Sequence, residues 1–214
     1  MTLPDLLLQG VYARLAWGVV LAAVLVCGVL RAYPFSPVRL ALVIAAALGL
    51  MWLPGEASPA HWLGLAFQRP SGLLAGLCVA ALVRSARPAR ADPTPVLVPA
   101  LAAVLAVGGA VLYADAAGWL SAGIYGAGFG PLGAPLAGIG VGLLATGLIA
   151  RGVHRETAAV LLASAALFAL LRLPSGNFFD AMLDPFLWCW AMWCLLSRAS
   201  RRARLWHRQR LVQP

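Results

Sequence analysis

Seven runs of apolar residues, separated by short polar stretches, restrict the solvents in which this chain can fold. They cover 12–30, 38–53, 72–83, 96–114, 136–150, 158–171 and 186–196. A helix crosses a hydrocarbon core of about 30 Å with about 20 apolar residues. Within that core the backbone must satisfy its own hydrogen bonds, so such runs predict membrane-spanning helices. The fold class expected is all-α, a polytopic membrane helical bundle. Composition agrees: 62% of residues are apolar and 11% charged, with a mean hydropathy of +0.88, whereas soluble domains are roughly half apolar and a quarter charged. The 214 residues allow six or seven spans, with 1–197 as one transmembrane domain and 198–214 as a basic cytoplasmic tail.

Local signals sharpen the helix starts. Ser36-Pro37, Thr94-Pro95 and Asp184-Pro185 each place a capping oxygen before a proline suited to a first helical turn. The first run reads as a true span, because residues 1–9 carry no basic side chain and no small-x-small cleavage site follows. Cys27, Cys78, Cys189 and Cys194 lie within or beside apolar runs without a CxxC pair and read as small buried hydrophobes.

The formal charge of +9 comes entirely from arginine on the basic side, and in a membrane chain its position reports orientation. Seven spans with the N-terminus outside put 13 arginines inside: Arg31, Arg39, Arg84, Arg87, Arg90, Arg151, Arg155 and the tail residues Arg198, Arg201, Arg202, Arg204, Arg208 and Arg210. Arg14, Arg69 and Arg172 are then outside. If 72–83 does not cross, six spans with the N-terminus inside give the same 13 to 3 division. Seven are preferred because Trp52 and Trp62 flank a polar break as an outer interfacial pair would. Arg69-Pro70-Ser71-Gly72 is also echoed by Arg172-Leu173-Pro174-Ser175-Gly176. Both arrangements put 115–133 and 173–184 outside and the tail inside.

The outward loops carry the unusual residues. Nine of the 22 glycines fall in 118–142, around Asp115, Trp119 and Tyr125. Such a segment reads either as a re-entrant cavity lining or as close packing, and for 126–133 the two readings stand even. Gly138-x-x-x-Gly142 has the spacing that lets helices touch. Gly128-x-Gly130-x-x-Gly133 lacks the preceding strand of a nucleotide fold. In 174–185, Asp180 and Asp184, together with Asp115, suit a divalent metal, a sugar or another cation. Capping is the preferred reading: Asn177 starts a short helix whose third residue is Asp180, and Asp184 caps the last span. Phe178 and Phe179 are expected as an interfacial foot.

Arg69 lies between 62–67, an interfacial half-helix, and the third run; its expected partner is Glu56 or a lipid head group. Arg172 is expected to pair with Asp180 or Asp184. His61, His154 and His207 have no metal-binding spacing, and no serine sits in a hydrolase turn. No metal or other cofactor is expected. The Arg-rich tail suits anionic lipid better than nucleic acid.

These features predict a multi-pass protein of a bacterial inner membrane, the source being read from the lysine-free, alanine- and leucine-rich composition. The leading expectation is a non-catalytic subunit of an envelope assembly or transport complex, presenting its outer loops to a membrane protein partner or lipid-linked substrate. Alternatives are a small-solute or ion transporter working through Arg69 and Asp115, and an enzyme with Asp115, Asp180 and Asp184 around a metal. The candidate functional residues are Arg69, Asp115, Tyr125, Arg172, Asn177, Asp180 and Asp184.

Overall fold

The computed structural model describes residues 4–29, 36–86 and 95–212, with side chains up to 204. Thr94, Arg31, Arg87 and Arg90 lie outside the described residues, as do the side chains of Arg208 and Arg210. The described chain is all helical. Its elements are α1 (Leu6–Val24, continued by a π turn, Leu25–Val29), α2 (Pro37–Met51), α3 (Pro59–Phe67), α4 (Gly72–Ala86) and α5 (Pro99–Ala116). The one-turn α6 (Ile124–Ala127), α7 (Gly133–Ala150), α8 (Arg155–Leu171), the short α9 (Phe178–Met182) and α10 (Pro185–Val212) complete it.

Each apolar run is the body of one helix, and capping chemistry sets the starts. Asp5 accepts from the Leu7 and Leu8 amides, Ser36 from Arg39 and Ser58 from Ala60, satisfying donors that a first turn leaves open. The fifth helix starts at Pro99 after Val98, four residues beyond the expected Pro95. α10 runs unbroken through 28 residues, about 42 Å, so the basic tail continues the last helix.

α1 packs between α2 and α4, α4 against α8, α8 against α7, and α5 against α10. The core centres on Trp17, Leu73, Leu77, Leu187 and Ala191. Outside it, large apolar side chains are bare: Leu136, Ile139, Leu143 and Leu144 of α7 are all exposed. A helix that is apolar all round and exposed fits lipid contact. Among the described residues three helices, Leu6–Val29, Pro99–Ala116 and Gly133–Ala150, are long and apolar enough to cross a membrane. Cys78 is buried as expected, but Cys27 and Cys189 are exposed on this outer surface.

Long-range contacts define two ends of the bundle. At the basic end Arg84 of α4 pairs with Glu156 of α8 at 2.6 Å. There Thr157 donates to the Val96 carbonyl at 3.1 Å, and Cys27 lies 3.7 Å from the Ser85 hydroxyl. At the other, the cap end, Tyr12 donates to the Pro70 carbonyl at 2.8 Å and the Ser71 amide to Asp184 at 2.7 Å. α4 therefore starts at the cap and finishes at the basic end, antiparallel to α8. Gly76 leaves room for Val160 midway, where a Cβ would meet its methyl at 2.5 Å.

Candidate functional site

The cap is built from chain breaks. α3 stops at Gln68, whose φ of 61° turns the chain out of the helix, and α4 begins four residues later with Ser71 accepting from the Leu74 amide at 3.0 Å. Between α5 and α7 the chain makes one helical turn, α6. Asp115 holds that turn: one carboxylate oxygen accepts from Ala122 and Gly123, the other from Tyr125 at 2.8 Å.

Asn177 joins this segment to the α8–α10 connection. It is fully buried; its oxygen accepts from the Phe179 amide at 2.9 Å and its amide donates to the Tyr125 carbonyl at 3.0 Å. The Phe178 amide donates to the Gly128 carbonyl at 3.1 Å, while the Gly128 α-carbon lies directly against Asn177 and Phe179. Close packing is thus the role of Gly128. Gly138 faces the Phe178 ring, but Gly142 has nothing within 4 Å, so that spacing does not act as a paired helix contact. Phe178 is buried against Phe168, Ala134 and Met182; the expected interfacial foot is an internal wedge.

Asp184 is the hinge between two helices. It is buried, and its oxygens accept separately from Leu187 at the start of α10 (2.8 Å) and Ser71 at the start of α4 (2.7 Å). One carboxylate therefore faces two helix N-termini, where negative charge is favoured. The capping expectation covers half of this; the link to α4 was not legible.

A cavity of about 270 Å³ opens in the cap. Gln68, Arg69, Tyr113, Tyr125, Ser175, Asp180 and Asp184 all line it. Asp180, the third residue of α9 as expected, accepts from Tyr125 at 3.1 and 3.2 Å and from the Ser175 hydroxyl. Burial pushes its pKa above the usual carboxylate value, outweighing these two donors. Burial, then the Asp180 charge, lifts the Tyr125 hydroxyl to about 12, so it remains a donor.

A carboxyl with a raised folded pKa adds stability below its unfolded pKa and loses that contribution as pH rises through the folded value. The heat-unfolding Tm in mild detergent is expected to fall across this window, and Asp180→Asn to flatten the decline. A wild-type Tm that climbs there would contradict the burial argument.

Four of the seven sequence candidates, Arg69, Tyr125, Asp180 and Asp184, thus meet at one cavity. Asn177 and Asp115 stand behind it as braces. Arg172 is elsewhere: it closes α8 in the left-handed conformation (φ 57°) with its guanidinium 5.1 Å over Phe168, paired with neither Asp180 nor Asp184. Arg69 likewise makes no ion pair with Glu56. Sequence reasoning weighed Gln68 beside Arg69 but missed Tyr113 and Ser175. Ser175 stood within the Pro-Ser-Gly echo, and Tyr113 is an aromatic hydroxyl near the end of an otherwise apolar helix. Among the described residues no three His, Cys, Asp or Glu side chains are grouped to hold a metal ion.

No family model, curated protein or solved structure matches the chain.

Proposed function

We propose that the chain is a seven-span protein of a bacterial inner membrane, with the cap outside and the basic end cytoplasmic. It serves as a non-catalytic subunit of an envelope assembly or transport complex. The observation that carries this reading is how the cap uses its polar groups. Both carboxylate oxygens of Asp115 and Asp184 close helix ends and turns, so the cap is a braced platform around one small polar cavity. The enzyme reading is less well supported because Asp115 does not line the cavity that Asp180 and Asp184 share. The transporter reading loses the same residue from its pathway, and the cavity lies at an end of the bundle, whereas transporter sites favour the membrane midplane.

Seven crossings are supported by α4, whose two ends contact opposite ends of the bundle. The anionic inner leaflet is the natural contact of the arginines in α10. Cysteines introduced for Glu56 and Ser121 in a variant lacking the native four are expected to react with an impermeant thiol reagent from the same side, and one for Val153 from the other. Labelling of Glu56→Cys with Val153→Cys would instead favour six spans. Purification from native membranes in mild detergent tests the subunit role: a stoichiometric membrane protein partner is expected, and a lone monodisperse chain would overturn it.

A further inference from the structure

The cap cavity holds charges that do not meet. Arg69 is half-buried and lines the cavity, and its side chain makes no hydrogen bond or ion pair among the described residues. Asp180, on the opposite connection, accepts only from neutral hydroxyls. Tyr113 lines the same cavity, and its hydroxyl is buried with no hydrogen-bond partner among the described residues. A buried hydroxyl left unpaired is costly and uncommon in folded proteins. A cation, an orphan donor and a partly buried carboxylate in one cavity therefore call for an occupant. The volume of about 270 Å³ is below the range of roughly 300–1,000 Å³ for drug-sized ligands, so the occupant is small or is only the polar end of something larger.

We propose that this cavity binds a small zwitterion, with its oxyanion on the Arg69 guanidinium and Tyr113 hydroxyl and its primary ammonium on the Asp180 carboxylate. Arg69 supplies charge-assisted donors suited to a phosphate or carboxylate, and Tyr113 a further donor to the same group. The ammonium brings Asp180 the counter-charge that its hydroxyl partners lack. Asp184 lines the same cavity but is the weaker competitor, since each of its oxygens already accepts a backbone amide. Two sources share this chemistry: the head group of phosphatidylethanolamine, and a free solute such as phosphoethanolamine. Exposed Trp52, Trp62 and Trp119 on the cap connections fit the interfacial depth at which head groups lie. The cavity brings Arg69 and Asp180 to one side of the membrane, so the inference rests on the seven-span reading, which cysteine labelling tests separately from binding in detergent.

The test is the shift in Tm of the purified full chain in mild detergent, titrated with phosphatidylethanolamine, phosphatidylglycerol or free phosphoethanolamine, with native mass spectrometry counting retained lipid. Phosphatidylethanolamine is expected to raise Tm and one molecule to be retained, while phosphatidylglycerol, lacking the ammonium, does neither. Equal stabilisation by free phosphoethanolamine would support the proposal with a solute as the source; stabilisation by the lipid alone would support it with the head group. Arg69→Gln and Asp180→Asn are each expected to weaken binding about tenfold or more. Tyr113→Phe separates binding from folding: it removes an unpaired hydroxyl, so the unliganded Tm should hold or rise while affinity drops several-fold. Equal retention of phosphatidylglycerol, or unchanged affinity in Tyr113→Phe and Arg69→Gln, would overturn the proposal.

Discussion

Asp184→Ala is expected to be the most damaging single substitution at the cap, lowering stability by roughly 2–6 kcal/mol, because two buried backbone donors lose their acceptor at about 1–3 kcal/mol each. The donors are the Leu187 and Ser71 amides, at the first turns of α10 and α4. Asp184 and Ser71 are both buried, so the orphaned amides would have to be met by water from the adjoining cavity, which sets the low end of that range. Asp184→Asn keeps one acceptor oxygen but turns an NH₂ group towards the other amide, so about half the loss is expected. Heat unfolding in mild detergent, followed by tryptophan fluorescence, gives the comparison. A ligand-binding role would produce the reverse: an Asn variant with wild-type Tm and lost binding. That outcome would show that the cap does not depend on Asp184.

The second large effect is expected at Gly128. An added methyl there would run into the Asn177 carboxamide and the Phe179 ring, and neither can retreat freely. Asn177 is fully buried and caps α9 while holding the Tyr125 carbonyl. Overpacking costs about 1–3 kcal/mol, and a displaced buried Asn177 adds a comparable amount for its unpaired groups. Gly128→Ala is therefore expected to lower stability by roughly 2–4 kcal/mol and weaken any binding at the cavity, because the clamp positions Tyr125. Gly126→Ala is the control. It lies two residues away in α6 with nothing within 4 Å of an added Cβ, so a change within about 0.5 kcal/mol is expected. Equal losses at both positions would refute the packing argument and point to a general need for flexible backbone in the loop.

What could be read from the amino acids followed the range of the forces involved. The helical runs, the caps at Ser36, Asn177 and Asp184, and the placing of Asp180 in a first turn depend on neighbours within four residues. Partners of charged side chains were misjudged for the converse reason. Arg172 is close in sequence to Asp180 and Asp184, yet it ends α8 over Phe168. Arg69 faces a cavity shared with residues of α5, α6 and the connection from α8 to α10. Nearness along the chain is a poor guide to contact once a helix end turns the backbone.

The sequence by itself determined an all-helical chain of lipid-compatible composition and the residues that start its helices. It did so because hydropathy and capping act locally. The tertiary structure decided the direction of α4, the linking of two helix starts by Asp184, and the meeting of Arg69, Tyr113 and Asp180 at one cavity. Those depend on contacts such as Ser71 to Asp184, 113 residues apart, whose geometry is set by the packing of whole helices against each other.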